Sequence, residues 1–140
     1  FHARLSENSR ANFGVQVSMV FTLMLNDCDE NLLAEIKEFV GVGNITYESN
    51  RDRVCWRITN REGCRKLAEF IKENKEPLFV ESDKYESFQR WHSLLSDIET
   101  LNKSYSGKVE FIKRAKSVNN NNRGLSADEW VERLDRPKGL

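Results

Sequence analysis

The sequence predicts an α+β domain in which an antiparallel four-stranded sheet is covered by helices on one face. Every odd-numbered residue from Phe13 to Leu25 is apolar, which is the period of a strand that buries one face. Two shorter alternating segments, Asn44 to Glu48 and Arg53 to Thr59, are separated by a polar turn. Segments with helical spacing lie on both sides of this pair, so the predicted element order is ββαββααα with a short last helix.

Four strands supply the predicted sheet. The first runs from Phe1 to Leu5 and places His2 and Arg4 on the face opposite its apolar residues. On the long second strand, the face opposite the apolar stripe is mostly polar: Gly14, Gln16, Ser18, Val20, Thr22 and Met24. In the third and fourth strands, the apolar face is formed by Ile45, Tyr47, Val54, Trp56 and Ile58, and the other face by Thr46, Glu48, Arg53, Cys55 and Arg57. The sheet therefore has one face to bury and one polar face.

Helices are predicted between and after the strands. The residues from Asn26 to Asp29 offer N-cap side chains for the first helix, which ends at Gly41. Asn60 caps the second helix, and Glu76-Pro77 breaks it. Each helix has an apolar stripe, formed by Leu32, Leu33, Ile36, Phe39 and Val40 in the first and by Cys64, Leu67, Ala68 and Ile71 in the second.

The remainder of the chain is predicted to be mainly helical. A third helix begins near Asp83, and its apolar stripe consists of Phe88, Trp91, Leu95, Ile98 and Leu101. A fourth helix runs from about Gly107 to Val118. The asparagine run that follows resists regular structure, and Ser126 to Glu129 form a capping box for a short last helix.

Length and composition predict the domain organisation. The chain has 140 residues and is 39% hydrophobic, which is enough for one sizeable core. We therefore expect one domain over residues 1–118, an asparagine-rich linker over 119–125, and a short helix and tail over 126–140. Lysines and arginines balance aspartates and glutamates at 22 each, so a polyanionic partner must be bound by a local patch. One candidate patch, which could contact DNA phosphates or be only a set of solvated helix faces, is basic: Lys103, Lys108, Lys113, Arg114, Lys116 and Arg123.

The sequence also argues against several classes of protein. No apolar segment approaches the roughly 18 residues of a membrane span, and no signal-peptide pattern opens the chain, so we expect a cytoplasmic protein. The cysteines are odd in number and lack the spacing of metal ligands, which favours reduced structural thiols: Cys28, Cys55 and Cys64. Helix capping and the helix dipole explain the acidic residues before the first helix, and no metal ligands are predicted.

Two segments at a characteristic separation carry a family resemblance. The first is Asn-Leu-Leu-Ala-Glu-Ile-Lys-Glu-Phe-Val-Gly-Val-Gly-Asn-Ile, ending at Ile45, and the second is Pro77-Leu78 followed by Lys84-Tyr85, Phe88 and Trp91. With the long strand and the Trp-Arg-Ile strand, they resemble the LAGLIDADG homing endonuclease fold over roughly Phe1 to Asn119, about one αββαββα half. The resemblance implies a saddle-shaped sheet that lies in the DNA major groove. It also implies two such halves, in a homodimer or in one pseudo-symmetric chain.

Residue chemistry agrees with double-stranded DNA as the partner. Gln, Arg, Ser and Thr side chains can hydrogen-bond to base edges in the major groove, and Glu can accept from cytosine N4. The candidate DNA-binding residues are the polar side chains of the strand faces: His2, Arg4, Gln16, Ser18, Thr22, Thr46, Glu48, Arg53 and Arg57. The alternative is that they are solvated positions of a one-sided antiparallel sheet. The resemblance favours contact with bases and phosphates.

The resemblance further implies metal-dependent phosphodiester cleavage with Mg²⁺ as cofactor. Lys84 matches the family's pocket lysine near the scissile phosphate, and the alternative is an ordinary exposed lysine at a helix start. Leu25 stands where the family often has a polar residue that positions solvent. The family's signature helix, with its metal-binding acid, would lie just upstream of Phe1. We therefore expect the catalytic acid upstream of Phe1 or from a partner.

Two main function classes stay open. The favoured one is a sequence-specific DNA endonuclease of an intron- or intein-type mobile element, a hydrolase that acts on ester bonds. The alternative is a non-catalytic nucleic-acid-binding module on the same fold, either a regulator or an RNA-splicing maturase. A third interpretation is an α+β interaction domain whose polar sheet face binds protein.

Overall fold

The structure is a computed structural model that describes residues 1–48, 52–74, 81–119 and 124–135. Strands β1 (His2–Glu7), β2 (Val15–Asn26), β3 (Asn44–Glu48) and β4 (Arg53–Ile58) form an antiparallel sheet in the order β1-β2-β4-β3. The helices are α1 (Glu30–Val40), α2 (Arg61–Glu73), α3 (Asp83–Leu101), α4 (Tyr105–Asn119) and α5 (Ala127–Glu132). The described elements confirm the predicted order. The predicted break at Glu76-Pro77 lies outside the described residues.

The chain divides into two compact units. The terminal unit combines Phe1–Met19 with Asp83–Leu140, and the central unit is Val20–Ser82. Strand β2 begins in the terminal unit and ends in the central unit.

The apolar sheet face of the central unit is centred on Trp56. Leu23 of β2 and Ile45 of β3 lie opposite Trp56 on its two sides, and Val54, Trp56 and Ile58 are all buried. The Phe21 ring meets the Trp56 indole edge-on, with ring centroids 5.3 Å apart, a favourable aromatic geometry. The predicted apolar face is therefore confirmed at Val54, Trp56 and Ile58, whereas Tyr47, predicted on the same face, is 61% exposed.

Helix α2 packs on this apolar face. Its N-terminus is capped as predicted, because Asn60 Oδ1 accepts from the Gly63 N–H at 2.6 Å. A Cβ atom at Gly63 would lie 2.8 Å from Ile58 Cγ2, so helix and strand approach closely here. The predicted stripe is buried at Cys64, Leu67 and Ala68.

Helix α1 differs from its prediction in two respects. A short 3₁₀ turn, Asp27–Asp29, leads into it, and the Asp29 side chain makes no capping hydrogen bond. The predicted apolar stripe is only partly buried: Leu33 is buried, whereas Leu32 and Phe39 are 51% and 77% exposed. The helix ends as predicted at Gly41, which adopts a left-handed φ of 86°.

In the terminal unit, α3 and α4 pack together beside β1. The predicted α3 stripe is buried, including Phe88 and Trp91. Trp91 Nε1 donates to the His2 carbonyl at 3.2 Å. The Asn119 side chain accepts from the Ala3 N–H at 2.7 Å and donates to the Ala3 carbonyl at 2.9 Å. These bonds tie both helices to the first strand.

The last helix docks on the same unit. Leu134 is buried with Val15 and Ile112, and the Asp135 N–H donates to the Phe13 carbonyl at 2.7 Å. The predicted capping box at Ser126 and Glu129 is present. The long strand, however, begins two residues later than predicted. Phe13 has φ 58° and belongs to a 3₁₀ turn. This residue therefore lies outside β2, and its carbonyl accepts the Asp135 hydrogen bond.

Candidate nucleic-acid interface

The polar face of the central unit is ordered into three rows across β2, β4 and β3. Strand register places together Thr22 with Arg57 and Asn44, Met24 with Cys55 and Thr46, and Asn26 with Arg53 and Glu48. We call these residues the outer face. Directly opposed residues of an antiparallel pair have Cβ atoms about 4.5–5.5 Å apart, so each row is a compact group of side chains.

Every candidate residue predicted in the central unit lies on the outer face: Thr22, Thr46, Glu48, Arg53 and Arg57. Thr46 and both arginines are exposed, while Thr22 and Glu48 are half-buried. Asn26 and Asn44 also belong to this face and are exposed, although the sequence interpretation did not name them. The signal was present, because each continues the alternation by one step at a strand end.

The third row borders a concavity. Met24, Leu25, Asn26, Asp29 and Arg53 line a space of about 440 Å³ where β2 ends. The outer face is therefore hollow at this end, where Arg53 and Asn26 both line the concavity.

The remaining strand candidates lie in the terminal unit. Arg4 on β1 and Gln16 on β2 are exposed, and His2 and Ser18 are half-buried. Gln16 Oε1 accepts a hydrogen bond from Asn8 Nδ2 at 2.9 Å. This bond links Gln16 to the turn that follows β1.

Lys84 is exposed in the first turn of α3, also in the terminal unit. The Pro77-Leu78 pair of the family resemblance lies outside the described residues. The assignment of Lys84 to a catalytic role therefore stays a prediction.

Not all residues of the basic patch predicted between Lys103 and Arg123 lie on the protein surface. Lys108 is fully buried, and its ammonium donates to Asn102 Oδ1, so the prediction that Lys108 belongs to a basic surface patch is wrong. A buried lysine needs such a partner to offset its desolvation. Arg114 pairs with Asp97 at 2.9 Å, which reduces the local positive charge. Arg123 lies outside the described residues.

No group of three or more His, Cys, Asp or Glu side chains in the described part of the chain could hold a metal ion. The cysteines are thiols rather than disulfides, with Cys28 exposed and Cys55 and Cys64 buried. Burial raises the pKa of Cys64 to about 11. Within the same described ranges, no helix is long and apolar enough to cross a membrane.

Solved structures similar to this chain include homing endonucleases. I-TnaI, a homing endonuclease, superposes with a TM-score of 0.75 at 22% identity, covering 95% of this chain and 84% of that one. The archaeal intron-encoded homing endonuclease I-Vdi141I, complexed with DNA, gives a TM-score of 0.81 at 16% identity, covering 96% and 86%. I-SmaMI, bound to an uncleaved DNA target in the presence of calcium ions, gives 0.77 at 21% identity, covering 98% of this chain but 46% of that one.

The sequence itself matches a family profile. Residues 1–95 match the family described as LAGLIDADG endonuclease. The chain belongs to this family, and the α+β fold with its four-stranded antiparallel sheet agrees with that of the solved homing endonucleases. No curated protein sequence matches the chain significantly.

Proposed function

We propose that this chain recognises double-stranded DNA sequence-specifically and supplies one half of a metal-dependent homing endonuclease of an intron or intein. The observation that carries the proposal is the outer face, where three rows of mostly polar side chains lie opposite a face covered by helices. A ribbon of strands fits the DNA major groove, where base edges are distinguishable. The solved relatives in complex with DNA support the same partner.

The outer face has suitable chemistry for each kind of base edge. Arg53 and Arg57 can each bind guanine through two hydrogen bonds, and Asn26 and Asn44 can do the same with adenine. Glu48 can accept from cytosine N4. The proposed DNA contacts are Asn26 and Asn44 together with those that the sequence predicts: His2, Arg4, Gln16, Ser18, Thr22, Thr46, Glu48, Arg53 and Arg57.

Cleavage in this proposal needs carboxylates beyond the described residues. The described part of the chain offers no metal-binding set, so the acids come from a segment upstream of Phe1 or from a partner. Lys84 is exposed at the start of α3. There it would stabilise negative charge on the phosphate during cleavage.

The proposed assembly has two such halves, as a homodimer or within one pseudo-symmetric chain, and acts in the cytoplasm. Residues 1–118 form the DNA-binding domain of each half, 119–125 a linker and 126–140 a helix and tail. In support, the chain covers most of I-TnaI but less than half of I-SmaMI.

The test is selection of the chain against randomised DNA duplexes with Mg²⁺, scoring both retention and strand cleavage. A half-site of about one helical turn, roughly 10 base pairs, can be sampled fully. A recovered motif with cleavage supports the endonuclease. Retention without cleavage supports DNA recognition either by a non-catalytic binding module or by an endonuclease half that lacks its own acids. No retention overturns DNA recognition by the sheet and favours a protein partner.

A further inference from the structure

Met24 places an apolar side chain in the middle row of the outer face. It is 46% exposed, although Thr22 and Asn26, its neighbours on the same strand face, are polar. A single exposed apolar residue is unremarkable on an ordinary protein surface. Met24 differs because it lies between the rows that carry Arg57 and Arg53.

The surroundings of Met24 extend this apolar character. The residue directly opposite is Cys55, which is 1% exposed, and Thr46 follows in the same row. Neither side chain adds a charge. Met24 also lines the concavity of about 440 Å³ beside Asn26 and Arg53. Met24 and Cys55 thus make the β2–β4 part of the middle row apolar, and the rows on either side each carry a guanidinium, that of Arg57 or Arg53.

Only one base presents an apolar group in the major groove. Thymine has a C5 methyl there, whereas guanine, adenine and cytosine present hydrogen-bonding atoms at the corresponding edges. A flexible thioether adapts well to a small apolar group. On the basis of the proposed function, we propose that Met24 is a specificity-determining residue that contacts the 5-methyl group of a thymine in the target.

Row spacing predicts where this thymine lies. Successive rows are two residues apart, about 6.6–6.8 Å along a strand, and base pairs are about 3.4 Å apart along each strand. The thymine therefore lies about two base pairs from the base bound by Arg57, and about two from the base bound by Arg53 on the other side.

The experiment uses the duplex recovered by selection, with each thymine replaced in turn by deoxyuridine, which lacks only the methyl. Binding is measured by fluorescence anisotropy for the wild type and for Met24→Ala. One replacement is expected to weaken wild-type binding about fourfold, the effect of one lost methyl contact. Met24→Ala is expected to bind the thymine duplex about that much more weakly and to be insensitive to the same replacement.

Phe39→Ala is the matched control, because it removes an exposed apolar side chain from α1 in the same unit. This variant is expected to keep the full deoxyuridine effect. If the wild type binds the duplex but no thymine replacement is coupled to Met24, the methyl contact is wrong while DNA recognition stands. If selection recovers no duplex, DNA recognition fails and the methyl contact fails with it.

Discussion

Trp56 Nε1 donates a hydrogen bond to the Val42 carbonyl at 2.9 Å. Trp56 is 1% exposed, so this bond satisfies a donor that would otherwise be costly to bury. It also ties the turn after α1 to the middle of β4, next to Arg57. The position of Arg57 on the outer face thus depends on a turn on the opposite side of the strand.

Gly43 lies in that turn, at a position where a side chain would not fit. Its φ is 94°, and a Cβ there would clash with Trp56 Nε1 and lie 2.9 Å from the Arg57 carbonyl oxygen. We expect Gly43→Ala to lower the free energy of unfolding by about 2 kcal/mol or more. Gly41→Ala is the control, since φ is 86° but nothing lies within 4 Å of the added Cβ. Urea denaturation compares the two, and equal losses would contradict the steric explanation.

The docking of the last helix predicts that substitutions at two neighbouring residues, Leu134 and Arg133, reduce stability by different amounts. Leu134 is 5% exposed in the cluster with Val15 and Ile112, so Leu134→Ala should cost about 2–4 kcal/mol of stability. Arg133 pairs with Glu7 at 2.6 Å, but both side chains are largely exposed, so Arg133→Ala should cost less than about 1 kcal/mol. Thermal and urea unfolding measure both variants. A larger loss for Arg133→Ala would show that the ion pair, not apolar burial, holds the helix.

Burial predicts how the thiols react. Cys28 is exposed and should react with a thiol reagent in the native state, whereas Cys64 should react only on unfolding. Burial raises the Cys64 pKa from 9.0 to about 11, so the unfolded chain loses this proton first. The resulting stability is present below about pH 9 and falls as pH rises towards 11. Native-state reaction at Cys64 as fast as at Cys28 would contradict its burial.

The contribution of the Cys64 thiol to the pH dependence of stability can be measured by comparison with the Cys64→Ala variant. Other groups titrate in this alkaline range, so the difference between wild type and variant carries the information. Between pH 9 and 11, wild-type stability should fall more steeply than that of Cys64→Ala, measured by urea denaturation. Parallel pH profiles would show that the Cys64 thiol does not contribute.

Much of the sheet could be predicted from the sequence because the alternation of apolar and polar residues along a strand is a local property of the chain. The pattern around Trp56 was sufficient to place Arg57 on the opposite face, and the register confirms it. Phe13 could not be placed correctly, since its left-handed turn accompanies a hydrogen bond from Asp135 at the far end of the chain. Lys108 was also misjudged, because its partner and the burial around it arise only on packing.

The candidate site was predicted by the same local signal. The alternation that buries one face also collects the outer-face residues. Asn26 was missed because the predicted strand ended at Leu25, whereas Asn44 lay within its predicted strand but was not assigned to a face. The pairing of Met24 with Cys55 depends on strand register. Local patterns do not specify register, because it is set by contacts between distant segments.

The central claim is that the outer face reads DNA, and the most direct test compares Arg57→Gln with Lys66→Gln. Each variant removes one exposed positive charge from the central unit, Arg57 from the outer face and Lys66 from α2. Measured against the selected duplex, Arg57→Gln should weaken binding about 10-fold to 100-fold and relax the preference at one base. Lys66→Gln should change affinity about twofold or less, and both variants should unfold within about 0.5 kcal/mol of wild type. Equal binding losses in the two variants, or none in Arg57→Gln, would contradict base recognition by this face.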